Sequence, residues 1–477
     1  MRPGEKKART SAMVALALLA GTAGCNWTTF DDLAADAPVR SIGAPSGFDS
    51  HDFGKLITPL SSGQGSAAAF IATSLNGLHV AVVKIDRGGG VKTDTVSDAT
   101  LVDADGSSIT SVAEIPDTSP TSLLLGSPTV RAEEAFGRVY KYTLPAPAAP
   151  AGGGTLNTFL IPSLGSNDSG EGRGLAAGYL DGVEATADYV VGSDNELAVV
   201  VDGAVASTAL GTITVGTTPP TCDVSYEVGQ DSKYGVHRPI LAARLWPDAR
   251  GATVQQLFVG ATHGTGMGTL SILNVVNGTL NCLASVVGPR PQFGHALAAG
   301  DADGDGVADF LVVGSPGQQA FVYQGWPSLP APMVPPALDI TPANPAGVDF
   351  GYAVAALNVD GIPGDEVLVS DPRATVGGKT AAGHVLVYKY DPTANAMVQI
   401  GEIADHSPET DENFGYSLNV LNFCRADATA LGSAPCPAAS LSRVLLVGAA
   451  NEVFVYFRVG DNIPVSAGQT VADVRTP

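Results

Sequence analysis

The chain has 477 residues, a formal net charge of −22, 57 glycines, 33 prolines and only 15% charged residues. So acidic a chain excludes a general nucleic-acid binder, which needs Lys and Arg to displace counterions from phosphates. A composition led by Gly, Val, Ala, Thr, Ser and Pro argues against a helix-rich enzyme and for many short strands joined by tight turns.

Arg2, Lys6, Lys7 and Arg9 precede a short apolar run, Ala12–Ala20. That run is too short to span a bilayer as a helix, so residues 1–24 read as a secretory signal peptide. The following Thr22-Ala23-Gly24-Cys25 resembles a bacterial lipobox, with Thr22 where that family carries Leu. The resemblance implies cleavage before Cys25, acylation of its thiol and a lipid anchor in the cell envelope. Asn26, where an Asp would retain many lipoproteins in the inner membrane, points to the outer membrane. Ordinary secretion is the alternative. Residues 25–48 then form a lipidated N-terminus and tether. Several acyl chains anchor stably where one would not.

With Cys25 lipidated, Cys222, Cys282, Cys424 and Cys436 remain. An even number in an oxidising compartment allows two disulfides. Cys424 and Cys436 share one loop and form the first pair; Cys222 with Cys282 follows by elimination. No Cys/His cluster has zinc-ligand spacing.

Seven related units run from about Asp49 to Phe457, the segment 49–457. Phe53-Gly54 leads to the apolar runs Ala68–Thr73 and Leu78–Val83. Ser122–Pro128 leads to Gly137–Tyr142, Gly174–Gly178 to Asp188–Ser193 and Glu196–Val200, and Tyr234-Gly235 to Gln256–Ala261 and Gly268–Leu273. The last three units are the clearest. They start at Phe293-Gly294, Phe350-Gly351 and Phe414-Gly415, spaced by 57 and 64 residues. In each, a small-residue strand ends in a polar loop. A continuous apolar strand such as Phe310–Val313 follows, then a Gly/Pro turn and an alternating strand such as Val385–Tyr388. A continuous apolar run suits a strand packed on both faces. One such sheet cannot be stable alone, and a ring of neighbours covers its faces. Arg40–Pro45 and Arg458–Pro477 are two segments that could close such a ring, and the sequence does not choose between them; 458–477 is otherwise a tail.

The loop Asp301-Ala-Asp303-Gly-Asp305-Gly-Val307-Ala-Asp309 carries the most pointed chemistry. Asp at positions 1, 3, 5 and 9, with a carbonyl from Val307, gathers hard oxygen ligands of the kind Ca²⁺ takes. The alternative is a metal-free acidic turn, in which the four carboxylates repel one another. Asn358, Asp360 and Asp365 mark a shorter loop with one acid fewer, either a weaker metal site or a plain turn. Asp181, Glu184 and Asp188 read as a turn.

These units resemble FG-GAP repeats, the units of the integrin α-chain propeller. The resemblance implies an all-β fold, a seven-bladed β-propeller with blades of about four antiparallel strands and acidic loops between the first two strands of a blade. It also implies about one structural Ca²⁺ and a rim that presents a binding surface to a protein or glycan. Some propellers of this kind are lyases or phospholipases, so an envelope enzyme acting on polysaccharide or lipid is the alternative. A structural component of an outer-membrane assembly is a third reading. The seven histidines form no HExxH, and neither a GxSxG elbow nor a P-loop is present. His295 and His384 fall on strand patterns and read as core or sheet-face residues. The Gly-rich Gly264–Gly268 lies between two strands and reads as a hairpin loop.

Overall fold

The computed structural model describes residues 39–44 and most of 53–457, continuously over 267–305, 348–391 and 396–424. Residues 1–38 and 458–477, the intervals 160–172, 224–239, 244–254, 325–347 and 425–440, and shorter intervals between strands lie outside the described residues. The expected signal peptide, Cys25, Cys436 and the C-terminal tail are therefore among the undescribed positions. Every regular element described is a strand.

After β1 (Val39–Gly43) the strands group into small antiparallel meanders. The first sheet holds β2 (Leu56–Gln64), β3 (Ala67–Thr73), β4 (His79–Ile85) and β5 (Val91–Ser97). The second holds β6 (Ser111–Ile115), β7 (Ser122–Ser127), β8 (Arg138–Thr143) and β9 (Thr155–Phe159). The third holds β10 (Gly174–Gly178), β11 (Asp188–Gly192), β12 (Glu196–Val201) and β13 (Ala204–Leu210). A two-stranded pair, β14 (Thr212–Thr214) and β15 (Thr221–Asp223), precedes the fourth sheet. That sheet is β16 (Ile240–Ala243), β17 (Gln256–Ala261), β18 (Met267–Val276) and β19 (Thr279–Pro291). The fifth has β20 (Ala296–Gly300), β21 (Phe310–Ser315) and β22 (Gln319–Gln324). The sixth has β23 (Val354–Leu357), β24 (Glu366–Asp371), β25 (His384–Asp391) and β26 (Ala396–Ile403). The seventh has β27 (Ser417–Cys424), β28 (Leu441–Gly448) and β29 (Glu452–Tyr456), with β1 as its outermost strand.

Burial follows position within a sheet. The second strands β7, β17, β21 and β24 are buried at every residue, as their unbroken apolar sequences require. The outer strand β19 alternates buried with half-buried or exposed residues over most of its length. Apolar clusters lie between consecutive sheets. One further cluster joins the seventh sheet to the first, packing Leu446, Val453 and Val455 against Phe53, Phe70 and Val83. β1 belongs to that junction: Ser41 pairs with Phe454, and Ile42 is buried in the same cluster.

The Phe-Gly starts explain themselves at this level. Phe53, Phe293, Phe350 and Phe414 are fully buried, and the glycine after each has φ between +90° and +95°. A Cβ on Gly351 would lie 2.1 Å from the Gln319 carbonyl oxygen, so the turn needs glycine for conformation and for space.

Candidate metal loop and central mouth

The loop between β20 and β21 is built from its own carboxylates. Asp301 Oδ1 accepts the N–H groups of Asp303 (3.1 Å) and Gly304 (2.6 Å). Asp303 Oδ1 accepts from Asp305 at 3.1 Å, and Asp305 Oδ1 from Val307 at 2.7 Å. Asp309 Oδ1 reaches back to the N–H of Ala302 at 2.8 Å. These turns bring one oxygen each from Asp301, Asp303 and Asp309 within 4.8 Å of one another. The Asp305 carboxylate is not in that group. Burial raises the Asp309 carboxyl above its ordinary range; the Ala302 N–H lowers it, and Asp301, Asp303 and Asp305 push it up again. Crowded hard oxygens of one sign form a donor set that could hold a hard divalent cation.

The loop between β23 and β24 has the same outline and a different balance of charge. Asn358 Oδ1 accepts from Gly361 at 2.8 Å, and its Nδ2 donates to the carbonyl of Ile362. Asp360 Oδ2 pairs with Lys389 Nζ, and the same ammonium lies 3.1 Å from Glu366 Oε1. Asp365 faces elsewhere. Its two oxygens take Arg443 Nη1 at 2.7 and 2.8 Å, and Oδ2 accepts the Asp301 N–H at 3.2 Å. Asn358, Asp360 and Asp365 are thus not gathered around one point, and basic side chains hold both acids.

In the third sheet, Asp188 Oδ2 accepts the N–H groups of Leu180 (2.9 Å) and Asp181 (3.0 Å), closing a turn. Glu366 does the same for Val359 at 2.8 Å. An acid at or just before the start of the second strand is therefore a loop-closing device in three sheets, and Asp309 combines that role with its place in the oxygen cluster.

At the other end of the inner strands lies a cavity of about 390 Å³, lined by residues of β2, β6, β10, β16, β20, β23 and β27 or immediately before them. Here the residue after each clear Phe-Gly pair joins an arc. The rings of His295 and Tyr352 are 4.9 Å apart, as are those of Tyr352 and Tyr416. Lys55 Nζ stands 5.5 Å from the centre of the Tyr416 ring. Burial raises the Tyr352 phenol well above its usual range, and a hydrogen bond with Tyr416 adds to this. His295 lies in the turn before β20, buried against the Tyr352 ring, and His384 Nδ1 pairs with Glu402 Oε1 at 2.7 Å. Sequence reasoning missed Lys389, Arg443 and the arc. Its signal was present, however, in the position after each Phe-Gly.

Of the predicted cysteine partners, Cys282 is buried on β19, and β15, which carries Cys222, packs against that strand. Cys424 ends β27.

A family model described as FG-GAP repeat matches residues 293–325, the unit that carries the Asp301–Asp309 loop. No curated protein matches the chain. Among solved structures it is similar to Saccharomyces cerevisiae Sqt1, at 10% identity over 83% of this chain and 81% of that one, with a TM-score of 0.44. It is also similar to BBS1N, solved in complex with ARL6DN and soaked with mercury, at 10% identity over 91% of this chain and 99% of that one, with a TM-score of 0.47.

Proposed function

We propose that this chain is a seven-bladed FG-GAP-type β-propeller that serves as an interaction scaffold, held to the bacterial envelope by a lipid on Cys25. The observation that carries the reading is circular packing. Each described sheet shares an apolar cluster with the next, the seventh shares one with the first, and all seven inner strands face one cavity. A closed ring removes the sheet faces and edges that would otherwise aggregate, and leaves its two rims to bind partners. The partner is a protein or glycan of the envelope, and the outer membrane is the address that Asn26 favours.

In this reading one blade carries a structural Ca²⁺, held by Asp301, Asp303 and Asp309, with Asp305 and the Val307 carbonyl completing the shell. The clustered oxygens support it. The loop of the next blade stays metal-free because Lys389 supplies its positive charge. The cysteines pair as Cys222–Cys282 and Cys424–Cys436, the first supported by the packing of β15 on β19.

The test is a pull-down from solubilised envelope with the mature chain, with and without Ca²⁺, alongside metabolic labelling with a fatty acid. Specific retention of an envelope component and label that Cys25→Ser abolishes are expected. A chain that retains nothing and degrades an envelope glycan instead would replace the scaffold reading by the enzyme reading.

A further inference from the structure

We propose that the rim carrying the acidic loops is a docking face for a phospholipid bilayer rich in ethanolamine headgroups, with Val183, Val307 and Ile362 as its apolar tips. The inference rests on the lipid-anchor and closed-ring readings and needs no bound calcium. His295 precedes β20 and lines the central mouth, and Asp301 follows β20, so the mouth and this rim lie at opposite ends of the inner strands.

The tips are equivalent positions in three sheets. Each closes an Asp-Gly-Val or Asp-Gly-Ile triplet in the loop after an inner strand: Asp181–Val183 after β10, Asp305–Val307 after β20 and Asp360–Ile362 after β23. In each, the Asp Oδ1 accepts the N–H of the third residue, at 2.8, 2.7 and 2.9 Å. The turn ties the acid to its own backbone and leaves the third side chain in solvent. Val183, Val307 and Ile362 are 47%, 56% and 57% exposed. An apolar residue exposed singly needs no explanation, but the same aliphatic tip on the same turn of three sheets is a shared feature of one rim.

The course of the chain says what covers this rim. β1 runs toward the mouth. Ile42 pairs with Val453 and, through Gly448, lies level with Ser417 at the cavity. Val39 pairs with Tyr456, level with Leu445 and Val420, further toward the acidic loops. The chain therefore enters β1 from the side of those loops. Thirteen residues separate Cys25 from Val39, a span of at most about 50 Å when fully extended. A lipid on Cys25 thus keeps its bilayer within reach of this rim. Three half-exposed aliphatic tips hold a membrane weakly by themselves, but an anchor already in the bilayer makes the second contact intramolecular. The tips lack the aromatic and Arg side chains that dominate protein interfaces, and separate points on a rim suit a flat, deformable surface. The Asp301–Asp309 loop has four carboxylates and no basic residue, so it stays net negative even around one divalent cation. An anionic headgroup would be repelled there, whereas an ethanolamine ammonium would meet exposed Asp303 and Asp305 as a hydrogen-bond donor.

The test reconstitutes the mature lipidated chain into vesicles of phosphatidylethanolamine and dibrominated phosphatidylcholine, whose bromines quench tryptophan at the membrane. Flotation with the vesicles reads the anchor. The emission added by Ile362→Trp reads the rim, and it is expected to fall about twofold or more against unbrominated vesicles. Val348 is also half-exposed but lies toward the mouth, where its N–H bonds Asp371 at the end of β24. Emission added by Val348→Trp should therefore stay unchanged. The serine pair Val183→Ser/Val307→Ser should remove about half of the Ile362→Trp quenching and leave flotation intact. Phosphatidylglycerol in place of phosphatidylethanolamine should also weaken the quenching. The inference is overturned if Ile362→Trp is unquenched in chains that float, or if Val348→Trp is quenched equally. It is also overturned if neither the serine pair nor the anionic lipid lowers the quenching. A chain that floats without quenching defeats this inference alone, whereas a chain that does not float defeats the anchor and this inference together.

Discussion

Arg443 Nη1 holds both carboxylate oxygens of Asp365, at 2.7 and 2.8 Å, and Asp365 in turn accepts the backbone N–H of Asp301 at 3.2 Å. The Asp365 N–H returns a bond to the Asp301 carbonyl at 2.6 Å, and Arg443 Nη2 reaches the Ala356 carbonyl at 2.9 Å. One ion pair thus ties the fifth, sixth and seventh sheets together beneath the acidic loop. Asp365 is 4% exposed and Arg443 37%, so removing the arginine strands a buried carboxylate. Arg443→Met is expected to cost about 2 kcal/mol in urea denaturation, somewhat below the loss typical of a fully buried pair. The double variant Asp365→Asn/Arg443→Met should recover part of it.

The two acidic loops should respond differently to metal. Calorimetry on the mature chain is expected to give about one Ca²⁺ per molecule, abolished by Asp303→Ala. Asp360→Ala should leave that stoichiometry unchanged, because Lys389 occupies the Asp360 carboxylate. Chelation should lower the melting temperature; saturation at about a hundredfold above Kd corresponds to roughly 2.7 kcal/mol. Equal loss from both variants would contradict the assignment.

Ring closure through the N-terminal segment predicts a cost far from any loop. Ile42 on β1 is 6% exposed and lies in the cluster that joins the seventh sheet to the first. Ile42→Ala should destabilise by about 2–4 kcal/mol in thermal or urea unfolding. Deleting residues up to Ala44 would also bare the edge of β29, and concentration-dependent association in light scattering is expected.

Glu412 gives the fold a pH dependence. Burial pushes its carboxyl up to about 7; the Glu409 N–H opposes the shift, and Asp405 and Glu452 add to it. The folded-state value lies above the ordinary 4.5, so the native chain binds more protons between those values. Stability attributable to this group is present below about pH 4.5 and is lost as pH rises through about 7. Glu412→Gln should therefore stabilise the chain at pH 8, by on the order of 1 kcal/mol, and have little effect at pH 4.5. Melting curves at the two values measure the difference.

The inner three strands of the last three units were legible because Phe-Gly turns and unbroken apolar runs repeat there. Outer strands such as β5 and β9 carry too little apolar pattern to announce themselves: Val91–Ser97 reads as polar sequence with scattered valines. β6 was missed because its unit opens without Phe-Gly, at Ile109-Thr110. The acidic loop was legible as a motif; the charge balance of its neighbour was not. Nothing local to Asn358–Asp365 reveals that Lys389 and Arg443, from other strands, hold its acids. Charge balance between sheets is a long-range property, and so is the aromatic arc, whose members lie in different sheets.

The central claim is a closed ring of seven blades with one calcium-bearing loop. A crystal structure of the mature chain grown with Ca²⁺, with anomalous data at long wavelength, tests it most directly. The account predicts seven sheets around one axis, β1 paired with β29, and a single strong anomalous peak among Asp301, Asp303 and Asp309. An open array of sheets, or no peak in that loop, would contradict it.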